Sequence, residues 1–414
     1  MIDWRTIKLE KVITDIAAGP FGSNLKVECF VESGFPIIDG ANLKGFKVTD
    51  NITKFVTEEK ARSLHRSIAK RNDVIVTISG NVGQIAYIPN DSKYIEYLVS
   101  QRQFRVSFDE SAIDVPYLVY YFHTREGQHK ILSFANQVGV PALAQPLKNF
   151  KAIELNLPSL PTQRRIAAIL SSLDDKIDLL HRENATLEQM AETLFRQWFV
   201  VEAKEEWWEG KLGDYVVETV GGEWGKENPE GDYTKAVQCI RGTDIADLNV
   251  GLANKTPIRF VKESKFEKIE PRNGDIIMEI SGGTENQSTG RVAYINEDVK
   301  TLFQYPIVFS NFSRLLRVNE QYTYFLYCYL KYLYDQDEFF NLENGSSGIK
   351  NLDYKALLYE LTYTMPKEKE LILEFNEKVS PFFNKINKNK KQIQILNQTR
   401  DGLLPKLMSN EIAL

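Results

Sequence analysis

Apolar residues recur at steps of three and four over two long stretches of the chain, and the first stretch covers residues 161–198. Its apolar or small positions, with Asn184 completing the alternation, are Ile166, Leu170, Leu173, Ile177, Leu180, Leu187, Ala191, Leu194 and Trp198. A period of about 3.5 residues is typical of helices that pack along a shared seam. A helix of about 38 residues would be roughly 57 Å long, so it needs a partner along its length.

The second stretch covers residues 366–407 and is predicted to be that partner. Its seam positions, with Asn389 and Arg400 filling the gaps, are Ile372, Phe375, Val379, Phe382, Ile386, Ile393, Leu396, Leu403 and Leu407. Each predicted helix carries one seam asparagine, Asn184 or Asn389, which either fixes the register through a polar partner or faces solvent. Pro381 lacks a backbone donor, so we expect a kink or break there, with the longer helix from about Phe382 to Leu404.

The segments outside these stretches repeat each other at an interval of about 202 residues. Residues 72–80, NDVIVTISG, match residues 274–282, GDIIMEISG, and a second apolar strand follows in each copy, at 84–88 and 291–295. Within a copy, β-rich segments bounded by Gly, Asn and Asp alternate with one or two helices, which predicts the α+β class. Two diverged copies on one frame suggest one task performed on two different targets.

Composition favours a cytoplasmic protein with well-filled cores. An apolar share of 43%, with 23 Phe and 19 Tyr, argues against disorder. Three scattered cysteines without a CxxC pair argue against disulfides and against a cysteine zinc site. The charged N terminus argues against a signal peptide, and no apolar run reaches membrane-span length, so no membrane association is expected. The net charge of −5 gives no global reason to expect nucleic acid.

No catalytic or metal site is expected. The Gly-rich run at 221–226 lacks the spacing of a phosphate-binding loop, and Glu227 stands where Ser or Thr would bind magnesium. The four histidines share no metal-ligand spacing. No nucleophile elbow and no tetrapeptide of the adenine-methyltransferase type occurs.

Basic residues concentrate in one segment of each copy, just before the matching strand. The candidate phosphate contacts are Arg62, Arg66 and Lys70 in the first copy, and Lys262 and Lys265 in the second. Lysine and arginine on phosphates position a protein on double-stranded DNA without reading its sequence. The alternative for each cluster is an ordinary solvated surface.

Gly-rich polar loops near these segments are candidates for contacts with base edges. The candidates are Ser23, Asn24, Asn42 and Lys44 in the first copy, and Trp224, Lys226 and Arg241 in the second. Asn or Gln pairs with adenine, and Arg or Lys with guanine, in the major groove. The alternative is a structural role, because Gly-rich turns use Asn and Asp for backbone reasons.

The predicted helices carry motifs that resemble the specificity subunit of type I restriction-modification systems. The matching segments are LPSLPTQRRI at 157–166, LDDKI at 173–177, TLFRQWF at 193–199 and TRDGLLPKLM at 399–408. Residues 19–23 and 241–245 resemble common entries to the target-recognition domains of that family. The resemblance covers essentially the whole chain.

The resemblance implies a non-catalytic subunit whose two target-recognition domains, at 1–160 and 208–365, each read one half of a split DNA sequence. The helices, at 161–207 and 366–414, are expected to run antiparallel, to separate the domains by about one duplex turn, roughly 34 Å, and to bind partner subunits. The outward residues expected to cover partner helices are Ile169, Leu179, Phe195 and Phe199.

The expected partners are double-stranded DNA, two DNA methyltransferase subunits and restriction/translocase subunits. The resemblance places S-adenosylmethionine and ATP on those partners and no cofactor on this chain. Two other functions remain open: a coiled-coil scaffold that binds proteins without reading DNA, and an enzyme with a diffuse site. DNA footprinting separates the scaffold from the DNA reader.

Overall fold

A computed structural model describes residues 4–136, 140–253, 255–345 and 349–412 of the chain. The residues cluster into two compact units. Unit 1 comprises Met1–Asp174 and Thr399–Leu414, and unit 2 comprises Asp175–Gln398. Each of the two long helices contributes one part to each unit.

Unit 1 is built around two sheets and a buried helix. Its strands are β1 (Arg5–Lys8), β2 (Ile13–Ala18), β3 (Phe30–Val31), β4 (Phe35–Ile38), β5 (Phe55–Val56), β6 (Ile68–Lys70), β7 (Val74–Thr77), β8 (Ile85–Tyr87), β9 (Glu96–Val99), β10 (Gln103–Phe108), β11 (Ala135–Asn136), β12 (Ala142–Leu143) and β13 (Glu154–Leu157). Its helices are α1 (Glu58–Ser63), α2 (Val115–His123), α3 (Arg125–Leu132), α4 (Pro146–Ala152) and the start of α5 (Leu160–Arg196). One sheet has the antiparallel order β2-β10-β7-β8, and the other has the order β3-β5-β4-β9-β6.

Helix α2 is central to unit 1 because it is apolar around its whole circumference. Asp114 caps it by accepting the backbone N–H of Tyr117 at 2.9 Å. The side chains of α2 pack in the core of unit 1 with strands β7, β8 and β10 and with Ile166 and Leu170 of α5.

Unit 2 repeats this design. Its strands are β14 (Trp208–Gly210), β15 (Val216–Gly221), β16 (Tyr233–Ile240), β17 (Ile258–Lys262), β18 (Ile276–Glu279), β19 (Ser281–Gly282), β20 (Val292–Tyr294), β21 (Ile307–Phe309), β22 (Ser313–Val318), β23 (Glu343–Asn344), β24 (Lys350–Leu352) and β25 (Tyr363–Met365). Its helices are α6 (Asp244–Asn249), α7 (Glu263–Ile269), α8 (Glu297–Lys300), α9 (Thr323–Asp335) and most of α10 (Glu370–Met408).

The two units share one strand topology, so the predicted repeat is confirmed. The order β2-β10-β7-β8 of unit 1 returns as β15-β22-β18-β20 in unit 2. The pairing of β4 with β9 is parallel, and so is the pairing of β16 with β21. The predicted α+β class with two long helices is likewise confirmed.

The predicted seam between the long helices is present in unit 2. Asn389 donates from Nδ2 to Asn184 Oδ1 at 2.9 Å and to Glu183 at 2.8 Å. Ile177, Leu180 and Ile393 pack beside this pair. Residue numbers rise along α5 as they fall along α10, so the helices run antiparallel here, and the two asparagines are each other's polar partners.

Replacing Asn389 alone by leucine is expected to lower the free energy of unfolding by about 1–3 kcal/mol, because Asn184 then loses its donor in a buried seam. Replacing both asparagines by leucine is expected to recover most of that loss. Urea denaturation of the wild type, both single variants and the double variant gives the coupling energy. Strictly additive effects would show that the bond does not stabilise the seam.

We expected a kink or a break at Pro381, and a break is wrong, because α10 runs without interruption from Glu370 to Met408. Pro381 and Glu377 lie on the exposed side of the helix. Water can therefore replace the donor that Glu377 loses, while buried Val379 and Phe383 hold the helix from the other side. Phe383, rather than the predicted Phe382, is the fully buried seam residue.

Candidate nucleic-acid interface

Four loops of unit 1 come together where strand β7 ends. Gly19 lies so close to the β9–β10 turn that a Cβ atom there would stand 1.9 Å from the carbonyl oxygen of Ser100. A Cβ on Gly40 would stand 3.3 Å from Gln84 Oε1, on the loop that follows β7. The glycines therefore permit the close approach that assembles this loop cluster.

Two clefts open between these loops. One has a volume of about 570 Å³, and its polar lining includes Asp39, Lys54, Asn81, Gln84, Arg102 and Gln103. The other has a volume of about 750 Å³ and is bordered by Phe21, Arg102 and Lys148. Phe21 is 83% exposed. An exposed aromatic ring beside two cations is a surface that suits nucleic acid.

The structure places three of the four predicted loop residues of unit 1 at the surface. Ser23 and Asn24 are exposed in the short 3₁₀ turn Gly22–Asn24, and Lys44 is exposed. Asn42 is buried, so the prediction that it contacts a base edge is corrected: its side chain does not face the surface. It accepts the backbone N–H of Asp39 at 3.0 Å and donates to two backbone carbonyls, which makes it a turn residue.

The predicted basic segment of unit 1 is partly neutralised. Arg62 forms ion pairs of 2.8 Å with Glu58 and 2.7 Å with Glu96. The hydrogen bond that Arg62 donates to the carboxylate of Glu96 is the main cause of its raised pKa. Arg66 and Lys70 are exposed and have no ion pair within 4.0 Å among the residues the structure describes. Of the three candidate phosphate contacts of unit 1, Arg66 and Lys70 therefore remain available.

Unit 2 assembles the equivalent loops. A Cβ on Gly222 would stand 2.3 Å from the carbonyl oxygen of Phe309, which repeats the close approach seen in unit 1. Trp224 is half-buried, and the guanidinium of Arg259 stacks 3.9 Å from its ring centre. Arg259 also pairs with Glu227 at 3.0 Å, so the ring and the cation form one fixed group.

Carboxylates hold most of the predicted cations of unit 2. Lys226 pairs with Glu230 at 2.9 Å, and Lys262 pairs with Asp232 at 3.1 Å. Arg241 donates from Nε and Nη2 to the carboxylate of Asp244, at 2.9 and 2.7 Å. That hydrogen bond raises the pKa of Arg241. Unit 2 therefore presents less free positive charge than the sequence suggested.

Lys265 is the exception among these cations. It is half-buried and has no ion pair within 4.0 Å among the described parts of the chain.

The predicted partner-binding residues divide into two groups. Leu179 is 48% exposed on α5, and Ile169 is half-buried against the core of unit 1. Phe195 and Phe199 are buried in the core of unit 2, so the expectation that they face outward is wrong. Aromatic residues of α9 and α10 cover them, and no sequence period could show that cover.

Sequence reasoning missed the polar pair at the centre of the loop cluster of unit 2. Glu279 is buried and holds Arg291 through two hydrogen bonds, of 2.9 and 2.6 Å. The equivalent residues of unit 1 are Thr77 and Gln84, which bond at 3.2 Å. Aligning the two copies could have revealed this pair, because a charged pair in unit 2 replaces an uncharged pair at the matched positions of unit 1.

No group of three His, Cys, Asp or Glu side chains in the described residues could hold a metal ion. His123 lies beside the loops, but burial lowers its pKa and its Nε2 is 2.8 Å from the carbonyl oxygen of Ile85. None of the described helices is both long and apolar enough to span a membrane.

The sequence matches known proteins along nearly its whole length. Residues 2–189 and 204–397 each match the family model of the type I restriction modification DNA specificity domain. The specificity subunit of the type I restriction enzyme MjaIX from Methanocaldococcus jannaschii is 23% identical, over 99% of this chain and 94% of that protein. The specificity subunit of the enzyme HindI from Haemophilus influenzae is 24% identical, over 83% and 87%.

The fold is likewise similar to a solved structure. The crystal structure of the type I restriction-modification S subunit from M. genitalium superposes with a TM-score of 0.57 at 18% identity, over 98% of this chain and 96% of that one. Two matching domains on one repeated topology cover well over half of the sequence. The chain therefore belongs to the family of type I restriction-modification DNA specificity proteins.

Proposed function

We propose that this chain is the non-catalytic subunit that reads a two-part DNA target, with unit 1 reading one half-site and unit 2 the other. One observation carries the proposal: the same loop cluster stands at the end of the same strands in both units, with different side chains in each. A repeated frame with unlike contact residues suits two unlike half-sites. The names of the relatives, specificity subunits of type I restriction enzymes, support this function.

The chain then directs partner subunits to the target. Two methyltransferase subunits, which modify one adenine in each half-site, dock on the long helices, and restriction/translocase subunits join them. Leu179, a large apolar side chain exposed on α5, is a residue of this helix that we expect a docked subunit to cover. S-adenosylmethionine and ATP bind to the partner subunits in this scheme. A base that is methylated leaves the stack to enter the methyltransferase site.

Exchanging residues 1–155 for the equivalent segment of a related subunit tests the proposal. The exchanged chain is expressed with its methyltransferase partners, and methylome sequencing reports the modified motif. The expected result is a new sequence in one half-site only, because unit 2 is unchanged. The reciprocal exchange of residues 209–365 is the matched control and should alter only the other half-site. A change in both half-sites, or in neither, contradicts the proposal.

A further inference from the structure

Strands β7 and β18 occupy the same place in the two units, and the turn that precedes each strand is the same in both. Asp73 precedes β7 and accepts the backbone N–H of Lys70 at 2.9 Å. Asp275 precedes β18 and accepts the backbone N–H of Arg272 at 2.7 Å. The same residue type makes the same turn in both copies, so this end is structural.

The other end of each strand meets the loop cluster, and here the copies differ. The backbone N–H of Thr77 donates to the carbonyl of Gln84 at 2.9 Å, and that of Glu279 donates to Arg291 at the same distance. These bonds make Gln84 and Arg291 structurally equivalent. Their side chains nevertheless differ: Thr77 donates to Gln84 Oε1 at 3.2 Å, whereas Glu279 binds the guanidinium of Arg291.

Both side-chain pairs lie under the same loop. A Cβ on Gly40 would stand 3.3 Å from Gln84 Oε1, and a Cβ on Gly242 would stand 2.7 Å from Glu279 Oε1. Gln84 lines the cleft of about 570 Å³ in unit 1. In unit 2 the side chain of Glu279 is 1% exposed and that of Arg291 is 19% exposed. The inner member of the charged pair is therefore sealed, and the outer member reaches the surface.

The donors and acceptors left over on the two outer side chains differ in kind. Among the described residues, Gln84 keeps a lone pair on Oε1 and both hydrogens on Nε2, the pattern that pairs with N6 and N7 of adenine. Arg291 uses Nε and one hydrogen of Nη2 on Glu279. Its remaining Nη1 and Nη2 hydrogens form the donor edge that pairs with O6 and N7 of guanine. The buried carboxylate holds that edge in one orientation, which favours specific pairing.

We propose that Gln84 and Arg291 are the equivalent base-reading residues of the two units, Gln84 for adenine and Arg291 for guanine. Thr77 and Glu279 are the positioning residues beneath them. This inference rests on the proposed reading of one half-site by each unit.

The test transfers the pair of unit 1 into unit 2 with the double variant Glu279→Thr, Arg291→Gln. Removing both charges together leaves no unpaired ion in the core. The variant is expressed with its methyltransferase partners, and methylome sequencing reports the motif. One G·C position in the half-site of unit 2 is expected to become A·T, with the other half-site unchanged. In competition binding by the assembled complex, the guanine preference at that position falls by roughly 5- to 150-fold.

Two further variants complete the test: the first probes unit 1, and the second controls for folding. Gln84→Leu is expected to make one A·T position degenerate in the half-site of unit 1 only. The double variant Asp275→Asn, Arg317→Gln removes a buried pair of 2.7 Å at the structural end of β18 and should leave both half-sites unaltered.

The outcomes separate the two proposals. An unchanged motif with less methylation in the Glu279→Thr, Arg291→Gln variant, or a half-site of unit 2 without a G·C pair, overturns the base-reading assignment and leaves the proposed function intact. If domain exchange moves neither half-site, the proposed function fails and the base-reading assignment fails with it.

Discussion

Replacing Phe195 by alanine is expected to lower the free energy of unfolding of unit 2 by about 3–5 kcal/mol. Phe195 is 1% exposed, and the rings around it come from α9, from α10 and from the turn Gln197–Val201 that follows α5. The ring centres lie 5.3 Å from Phe199, 5.2 Å from Tyr329 and 6.0 Å from Phe375. Because rings from several elements surround Phe195, a shift of one helix does not fill the cavity. Urea denaturation with hydrogen exchange of α9 amides measures the loss.

The control for Phe195→Ala is Leu179→Ala, at an exposed position of the same helix. Its effect on unfolding is expected to stay within about 0.5 kcal/mol, because little apolar surface is lost from the core. If α5 binds a methyltransferase subunit, the same change weakens that complex. Equal loss of stability in the two variants would show that Phe195 is not the centre of this packing.

The seam and the repeat could be predicted because both are carried by local order in the sequence. Ile177, Leu180 and Asn184 follow one another at steps of three and four, and a helix with that period must present them on one face. The strand that ends at Thr77 and the strand that ends at Glu279 are similar enough to align without a structure. Such patterns depend on neighbours within the same element.

The cover on Phe195 and the neutralisation of the cations could not be predicted, because distant segments supply both. A heptad pattern reports one seam of a helix, whereas Phe195 packs against α9 on another side. The carboxylate of Asp232 pairs with Lys262, thirty positions further along the chain, because β16 and β17 bring the two together. Basic character read along the sequence therefore overstated the free charge of unit 2.

The continuous helix at Pro381 could not be predicted either, because buried residues elsewhere on α10 offset the local cost of proline. Proline in a helix interior costs about 3 kcal/mol or more, which predicted a kink or a break. That position is flanked on the inner face of the helix by four buried side chains, those of Phe375, Val379, Phe383 and Ile386. Burying a large apolar side chain stabilises by about 1.5–3 kcal/mol each, so together they outweigh the proline.

Raising the pH from 8 towards 10 is expected to stabilise unit 2 relative to a Lys390→Met variant. Lys390 is 3% exposed, and burial lowers its pKa to about 8 from its ordinary value of 10.5. The groups that face it are Glu188, Lys331 and the ring of Tyr294, whose centre is 5.7 Å from Nζ. Between these two pKa values the unfolded chain holds a proton that the folded chain has released. Unfolding therefore becomes harder as the pH rises.

The size of this effect follows from the difference between the two pKa values, since a pKa difference of one corresponds to about 1.4 kcal/mol. Across the whole window, the unfolding free energy of the wild type gains on the order of 3 kcal/mol over that of Lys390→Met. Subtracting the variant removes the contribution of the buried tyrosines, which ionise in both proteins alike. Below pH 8 lysine is charged in both states, so the full cost of burying it remains and the methionine variant is the more stable protein. Urea denaturation of both proteins at each pH measures the difference, and a difference that does not vary with pH contradicts the neutral lysine. At neutral pH, which lies below this pKa, Lys390 beside Asn389 is therefore still charged in the folded chain. The fold tolerates this buried charge at a cost in stability.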